Sequence, residues 1–217
     1  MSPAAGIGAL QRIADDLCAL YDTDAAPEVA AFLCDEPTMR RVVGEDVDRG
    51  EVLAVLEEEG SAFVGLYVAP EAVAALTRGP SFGAWQLAVE GVSHLVYLGF
   101  RAARDEPVSA LELELQAEVD KWALGLLGQN PLEGFGVPLL RARSRSLRRR
   151  LFTGEFLDEP GTEKGDRYRT ASRVAGRFVE GLELRHLGVA VGAREPLVRD
   201  LRRFYRRGLR DKLEHDR

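Results

Sequence analysis

The chain reads as an α+β protein, mostly helical: a small N-terminal antiparallel sheet, a central hairpin of two long helices, and C-terminal helices packed back on it. Two observations predict this class. Strand-like apolar runs occur only before Val68, and almost every later segment repeats its apolar residues at helical spacing. Charge supplies a third. Residues 1–138 carry 8 basic and 23 acidic side chains and residues 139–217 carry 21 and 12, so an acidic part and an Arg-rich part should attract each other and pack as one compact unit.

The elements follow in order. From Ala5 to Tyr21, Ile7, Leu10, Ile13, Ala14, Leu17 and Leu20 fall on one helix face. Short apolar runs at Val29–Cys34, Glu51–Leu56 and Ala62–Val68 predict two or three antiparallel strands, with Glu57-Glu58-Glu59-Gly60 as a hairpin tip. Pro70 opens a short helix that Gly79-Pro80 ends. A long helix over Phe82–Ala103 carries Trp85, Val89, Val92, Val96 and Phe100 inward. The next is announced by Pro107 and by Ser109-Ala110-Leu111-Glu112, a capping box, and stops at Gly128. The link is short, so these two helices should form an antiparallel hairpin. Asn130–Pro138 is the boundary between the 1–138 and 139–217 parts, Leu139–Phe152 an Arg-rich helix, and Gly154–Asp166 a polar loop. Tyr168–Leu184 and Pro196–Leu213 close the chain as amphipathic helices, with Leu197, Leu201, Phe204, Tyr205 and Leu209 inward.

Composition excludes several classes. With 46% hydrophobic and 29% charged residues in 217, neither a disordered chain nor a collagen-like repeat fits. The first residues lack a basic region followed by an apolar run, and no apolar stretch is long enough to span a bilayer, so a cytoplasmic protein without a membrane role is expected. Two cysteines, Cys18 and Cys34, make no disulfide framework. No P-loop, G-x-G-x-x-G or G-x-S-x-G motif occurs, and no Cys–His nucleophile pattern. His186 and His215 have no partner at ligand spacing and are expected in ordinary surface roles.

One constellation carries chemistry. Glu90 and His94 are four residues apart on the first long helix, with Gly91 beside them, and Glu114 and Glu118 share that spacing on the second, near Gln116 and Lys121. If the hairpin turns these edges inward, a histidine and up to three carboxylates converge. Such a cluster must meet a metal, arginines or water. Arg169, Arg173 and Arg177, every four residues, are expected to form the cationic edge that pairs with the Glu90/Glu114/Glu118 side.

From Ala62 to Leu127 the order of a strand (Ala62–Val68), a helix with a ligand-like pair, and a helix reading Glu114-Leu115-Gln116-Ala117-Glu118 resembles gluzincin metallopeptidases, which pair H-E-x-x-H with a downstream E-x-x-A-D. The resemblance sets Glu90 at the first His, His94 at the second, Glu114 at the third ligand and Glu118 at the downstream Asp. It implies a divalent metal on Glu90, His94 and Glu114. Gly91 stands where that family carries its general base, and glycine has no side chain to take a proton from metal-bound water.

Three functions are therefore expected in order: a non-catalytic regulatory or protein-interaction protein on a degenerate zincin-like core, with no cofactor; a metal-dependent hydrolase or oxidase using Glu90, His94 and Glu114 around one divalent ion, with Glu118 transferring protons; and a nucleic-acid-binding module. The last would work through Arg141, Arg143, Arg145, Arg148, Arg149 and Arg150, joined by Arg202, Arg203, Arg206 and Arg207.

Overall fold

The structure, a computed structural model, describes residues 3–24, 26–58, 61–79, 81–128, 137–153, 160–187 and 194–214. Helix α1 (Pro3–Tyr21) buries Leu10, Ala14, Leu17 and Tyr21 along one face. Strands β1 (Glu51–Glu58) and β2 (Ser61–Val68) form an antiparallel pair in which Leu53 faces Leu66 and Leu56 faces Phe63. Val29–Cys34 does not continue as a strand. It forms a 3-10 turn over Val29–Ala31 and then one bridge, in which Leu66 N donates to Phe32 O at 2.7 Å and Cys34 N to Leu66 O at 2.8 Å. The run is too short for more, because a helix unanticipated in the sequence, α2 (Glu36–Val43), starts at once. The Asp35 carboxylate accepts from Thr38 N at 2.8 Å and Pro37 sits in the first turn.

Helix α3 (Pro70–Arg78) leads to α4 (Phe82–Ala102), which buries Val89, Val92, Val96 and Phe100. Helix α5 (Ala110–Leu127) returns beside it, Ser93 lying against Asp120 and Tyr97 against Glu112, which fixes the hairpin as antiparallel. Only half of the expected capping box forms. Ser109 Oγ accepts from Glu112 N at 3.2 Å, whereas the Glu112 carboxylate turns inward and accepts from Tyr97 OH at 2.7 Å.

Helices α6 (Val137–Phe152) and α7 (Glu163–His186) pack on α5, α7 most extensively. The chain turns helical five residues earlier than Tyr168, because Thr162 Oγ1 caps it by accepting from Gly165 N. The single helix expected over Pro196–Leu213 is two, α8 (Arg194–Tyr205) and α9 (Leu209–Glu214), parted around Gly208. The break turns Lys212 into the core, 0% exposed, with its ammonium 4.3 Å from the centre of the Tyr97 ring and 5.1 Å from that of Phe204. The Asn130–Pro138 boundary, the tip residues Glu59 and Gly60, Pro80, the first six residues of the Gly154–Asp166 loop and His215 lie wholly or mostly outside the described residues.

Gly91 sets the distance between the sheet and the hairpin. A Cβ there would lie 2.9 Å from Glu51 Oε2 and 3.0 Å from Leu66 Cδ1, so any side chain at this position would have to displace Glu51 and Leu66 from the places they hold against α4. Gly99, two turns on, faces open space. Placing an acidic side chain there by Gly91→Glu should therefore cost roughly 3 kcal/mol or more, from overpacking and an unpaired buried charge. Gly99→Ala should be neutral or gain up to about 1 kcal/mol of helix propensity. Urea titrations of the two variants check this, and equal stabilities would refute the assigned role of Gly91.

Candidate functional site

The cluster expected from the sequence forms, with a membership the sequence only partly shows. Along the facing edges of α4 and α5, Lys121 Nζ donates to Glu90 Oε2 at 3.1 Å and to Glu118 Oε1 at 2.6 Å. His94 lies one turn along. Its Nε2 is 3.6 Å from Glu114 Oε2, and its Nδ1 is 3.9 Å from Glu51 Oε2. Glu51 enters from the first residue of β1, placed there by the close sheet contact at Gly91. Arg167, on the first turns of α7, closes the far side with Nε 3.9 Å from Glu114 Oε1.

The expected cationic edge is thus corrected. Arg167 supplies the contact with Glu114, while Arg169 lies 4.0 Å from Asp166, and Arg173 and Arg177 are exposed and line a groove toward α6. The physical reason is helical phase. The side of α7 that faces α5 is apolar beyond Tyr168, through Ala171, Val174, Ala175 and Phe178, so residues 173 and 177 point away.

Electrostatics divide the cluster in two. Around Lys121, burial alone would push the Glu90 carboxyl up, but the ammonium first and His94 second outweigh it and hold Glu90 below its ordinary value. Burial likewise disfavours the charged lysine, yet Glu90 and Glu118 raise Lys121 above a normal ammonium. Burial lifts Glu118, and Lys121 only partly offsets this. Around His94 the charged forms lose. Burial lowers His94 to about 4 and raises Glu114 to about 8, with the Glu90 charge adding to the latter. Burial, then Glu90 and Glu114, push Glu51 well up. At neutral pH His94 and Glu114 therefore face each other as a neutral imidazole and a protonated carboxyl rather than as an ion pair.

The residues proposed as metal ligands do not converge on one point. Glu90 Oε2 is engaged by the Lys121 ammonium, and the two carboxylates nearest His94 lie off opposite nitrogens of its ring. Among the described residues no group of three His, Cys, Asp or Glu side chains is arranged to hold a metal ion. A cation does sit among the carboxylates, and it is covalently part of the chain. The arrangement holds a titratable imidazole beside a titratable carboxyl, 3.6 Å apart, so that the protonation of each depends on the other.

A second polar network lies on the opposite edge of α5. Asp120 accepts from Tyr21 OH, Ser93 Oγ and Gln116 Nε2, and burial still holds it up at about 6. Lys212 Nζ donates to Gln116 Oε1 at 2.9 Å and to Tyr97 OH at 2.8 Å, and burial lowers the ammonium to about 7. Reading by residue spacing missed Glu51, Arg167 and Lys212, which lie far from the hairpin in sequence. The signal for Lys212 was its place between Leu209 and Leu213 on an otherwise apolar stripe.

The arginines named for nucleic-acid contact are largely engaged within the fold. Arg143 Nε donates to Gly125 O, Arg145 and Arg148 pair with Glu183, and the Arg150 guanidinium lies 3.6 Å above the Phe82 ring. Arg202 donates to Leu20 O and Ala19 O, and Arg206 to Tyr21 O and Asp22 O, at the C-terminus of α1. His186 Nε2 is 2.9 Å from Asp200 Oδ2, tying α7 to α8.

The His94–Glu114 pair sets a pH signature. Glu114, raised in the fold from 4.5 to about 8, binds more protons folded than unfolded, so its contribution to stability falls as pH rises through that interval. His94, lowered from 6.5 to about 4, acts in the opposite sense and only below pH 6.5. Glu114→Gln, which mimics the protonated carboxyl, should thus gain in thermal midpoint relative to the wild type between about pH 6.5 and 8. A difference that stays constant across this window would refute the assignment. No protein-family model, curated protein or solved structure matches this chain.

Proposed function

We propose that the chain is a non-catalytic regulatory protein that acts by binding another protein through its β-hairpin, on a core whose polar centre serves structure. One observation carries the reading. Of the exposed large hydrophobic residues, Leu56 (42% exposed) and Phe63 (45%) are cross-strand partners on one face at the distal end of the hairpin, and Val55 (43%) lies beside them on the other face. Nearer its root the same sheet is covered, Ala54, Leu66, Tyr67 and Val68 all being buried. Among the described residues no element covers these side chains, and an exposed apolar pair on a short two-stranded sheet is suited to a protein partner.

The centre supports the non-catalytic half of the reading. Gly91 offers no base, the sheet fills the space a base would need, and the Lys121 ammonium engages Glu90, one of the three groups a divalent ion would use. The competing hydrolase or oxidase draws on two buried atoms without hydrogen-bond partners, Glu51 Oε2 and His94 Nε2. The nucleic-acid reading draws on the Arg-rich part, most of whose side chains hold the fold.

Affinity capture with the wild type and with Leu56→Lys/Phe63→Lys, each purified and analysed for metal, separates the readings. The wild type should retain one protein in stoichiometric amount, the variant should lose it at unchanged thermal midpoint, and neither should carry a divalent ion. A solitary wild type that holds a stoichiometric metal and turns over a substrate would refute the proposal in favour of the hydrolase.

A further inference from the structure

Away from the hairpin and the central cluster, a groove of about 770 Å³ is bounded by α1, the start of α4, the end of α5 and α6. Its floor is aromatic and apolar. Phe82 and Trp85 stack there with ring centroids 5.5 Å apart and planes 26° apart, beside Leu124 of α5 and Leu147 of α6. Gly125 permits this floor. A Cβ at that position would lie 2.9 Å from Leu147 Cδ2 and 3.3 Å from Trp85 Cη2, so the two side chains close over bare backbone.

Two guanidiniums line the same groove. Arg143 and Arg150 lie two turns apart on one face of α6, ~10 Å at 1.5 Å per residue. Arg143 gives its Nε to Gly125 O at 2.8 Å. Arg150 is held through its flat face, 3.6 Å above the Phe82 ring, so its N–H donors all remain at the edge of the guanidinium plane. Among the described residues neither guanidinium pairs with a carboxylate. The one carboxylate on the groove walls is Asp16 of α1, so the lining carries two positive charges against one negative.

We infer that this groove is a binding site for a flat aromatic carboxylate, whose ring lies on Trp85 and Phe82 and whose carboxylate takes the N–H fork of Arg150. Each half of the ligand answers a feature of the groove. Ring faces recognise flat rings by offset stacking, and the Arg150–Phe82 pair already seats one planar group on this floor. A guanidinium fixed by stacking presents its fork in one orientation, which suits a bidentate carboxylate. The net charge of the lining calls for a monoanion, and the volume lies in the range of small-molecule sites. The inference goes beyond the hairpin's role and is independent of it.

The test is calorimetric titration of the full chain with naphthoate, with naphthalenemethanol, which lacks the charge, and with decahydronaphthoate, which lacks the flat rings. Naphthoate should bind at one saturable site and weaken about tenfold or more in Arg150→Gln, through the loss of one charge-assisted pair. Ser146→Trp, which fills the groove from its α6 wall, should abolish binding. Arg149→Gln removes the same charge from outside the groove and should leave binding unchanged. All three positions are exposed, so the variants should keep the wild-type thermal midpoint; if Arg150→Gln or Ser146→Trp does not, the other decides the comparison. No saturable binding, binding unchanged in Arg150→Gln or Ser146→Trp, or an equal loss in Arg149→Gln overturns the inference. So does either analogue binding as tightly as naphthoate.

Discussion

The rest of the structure depends on one constraint: α5 is buried on nearly all sides and still carries Glu112, Glu114, Glu118, Asp120 and Lys121. Moving an unpaired charge out of water costs several kcal/mol even after relaxation, so each of these side chains must find its partner on a neighbouring element. The partners define the architecture. Asp120 draws in Tyr21 from α1 and Ser93 from α4, Glu112 draws in Tyr97 and approaches Lys212 of α9, Glu114 meets His94 and Arg167, and Lys121 bridges Glu90 and Glu118. Trp122 Nε1 continues the pattern by donating to Ser144 Oγ of α6. Sliding α5 by one turn against α4 would break the contacts of Asp120 with Ser93, Glu112 with Tyr97, Glu114 with His94 and Lys121 with Glu90 together, so the polar network fixes the register that apolar packing alone leaves loosely specified.

The charge asymmetry between the two parts of the chain works differently from simple pairing of arginine with carboxylate. Arg202 and Arg206 reach the C-terminus of α1, and Arg143 reaches the end of α5, where carbonyl oxygens lack an intrahelical donor and the helix dipole is negative. A guanidinium can serve two such carbonyls at once, and Arg202 and Arg206 each do so. Lysine, with a compact ammonium, lacks that planar fork. Some of the arginine of the second part is thus bound up with the number of helix ends it must cover.

The legible parts of the fold were those with local signals. Helical periodicity gave α4, α5 and the antiparallel hairpin, and Ser109 gave the start of α5 because a cap is a contact between residues three apart. The same local rule failed for Glu112, whose carboxylate found a stronger partner in Tyr97 than in its own helix end. For Val29–Cys34 the apolar run was real, but a strand is defined by its neighbour, and only Leu66 was there to pair with it. In the candidate site, the spacing of Glu90, His94, Glu114 and Glu118 pointed to the facing edges of α4 and α5, where Lys121 bonds Glu90 and Glu118 and His94 lies near Glu114. It carried no information on Glu51 or Arg167, which arrive from β1 and α7 by tertiary packing. Arg169, Arg173 and Arg177 were read as one row, and that row is real; its direction depended on which face of α7 was apolar.

The two halves of the central cluster show how a core retains ionisable groups without a metal-like geometry. Around Lys121 the charges are kept, because one ammonium between two carboxylates returns in attraction part of what burial takes away. Around His94 the charges are given up, because burial outweighs the attraction of Arg167, whose Nε is 3.9 Å from Glu114, and a neutral imidazole beside a neutral carboxyl is the less costly state. Glu90 links the halves: its ionisation, secured by Lys121, is what further disfavours charge on Glu114 and Glu51. Lys121 thus acts on Glu114 and Glu51 in two senses, lowering both directly and raising both through the charge it secures on Glu90, while burial remains the largest influence on each.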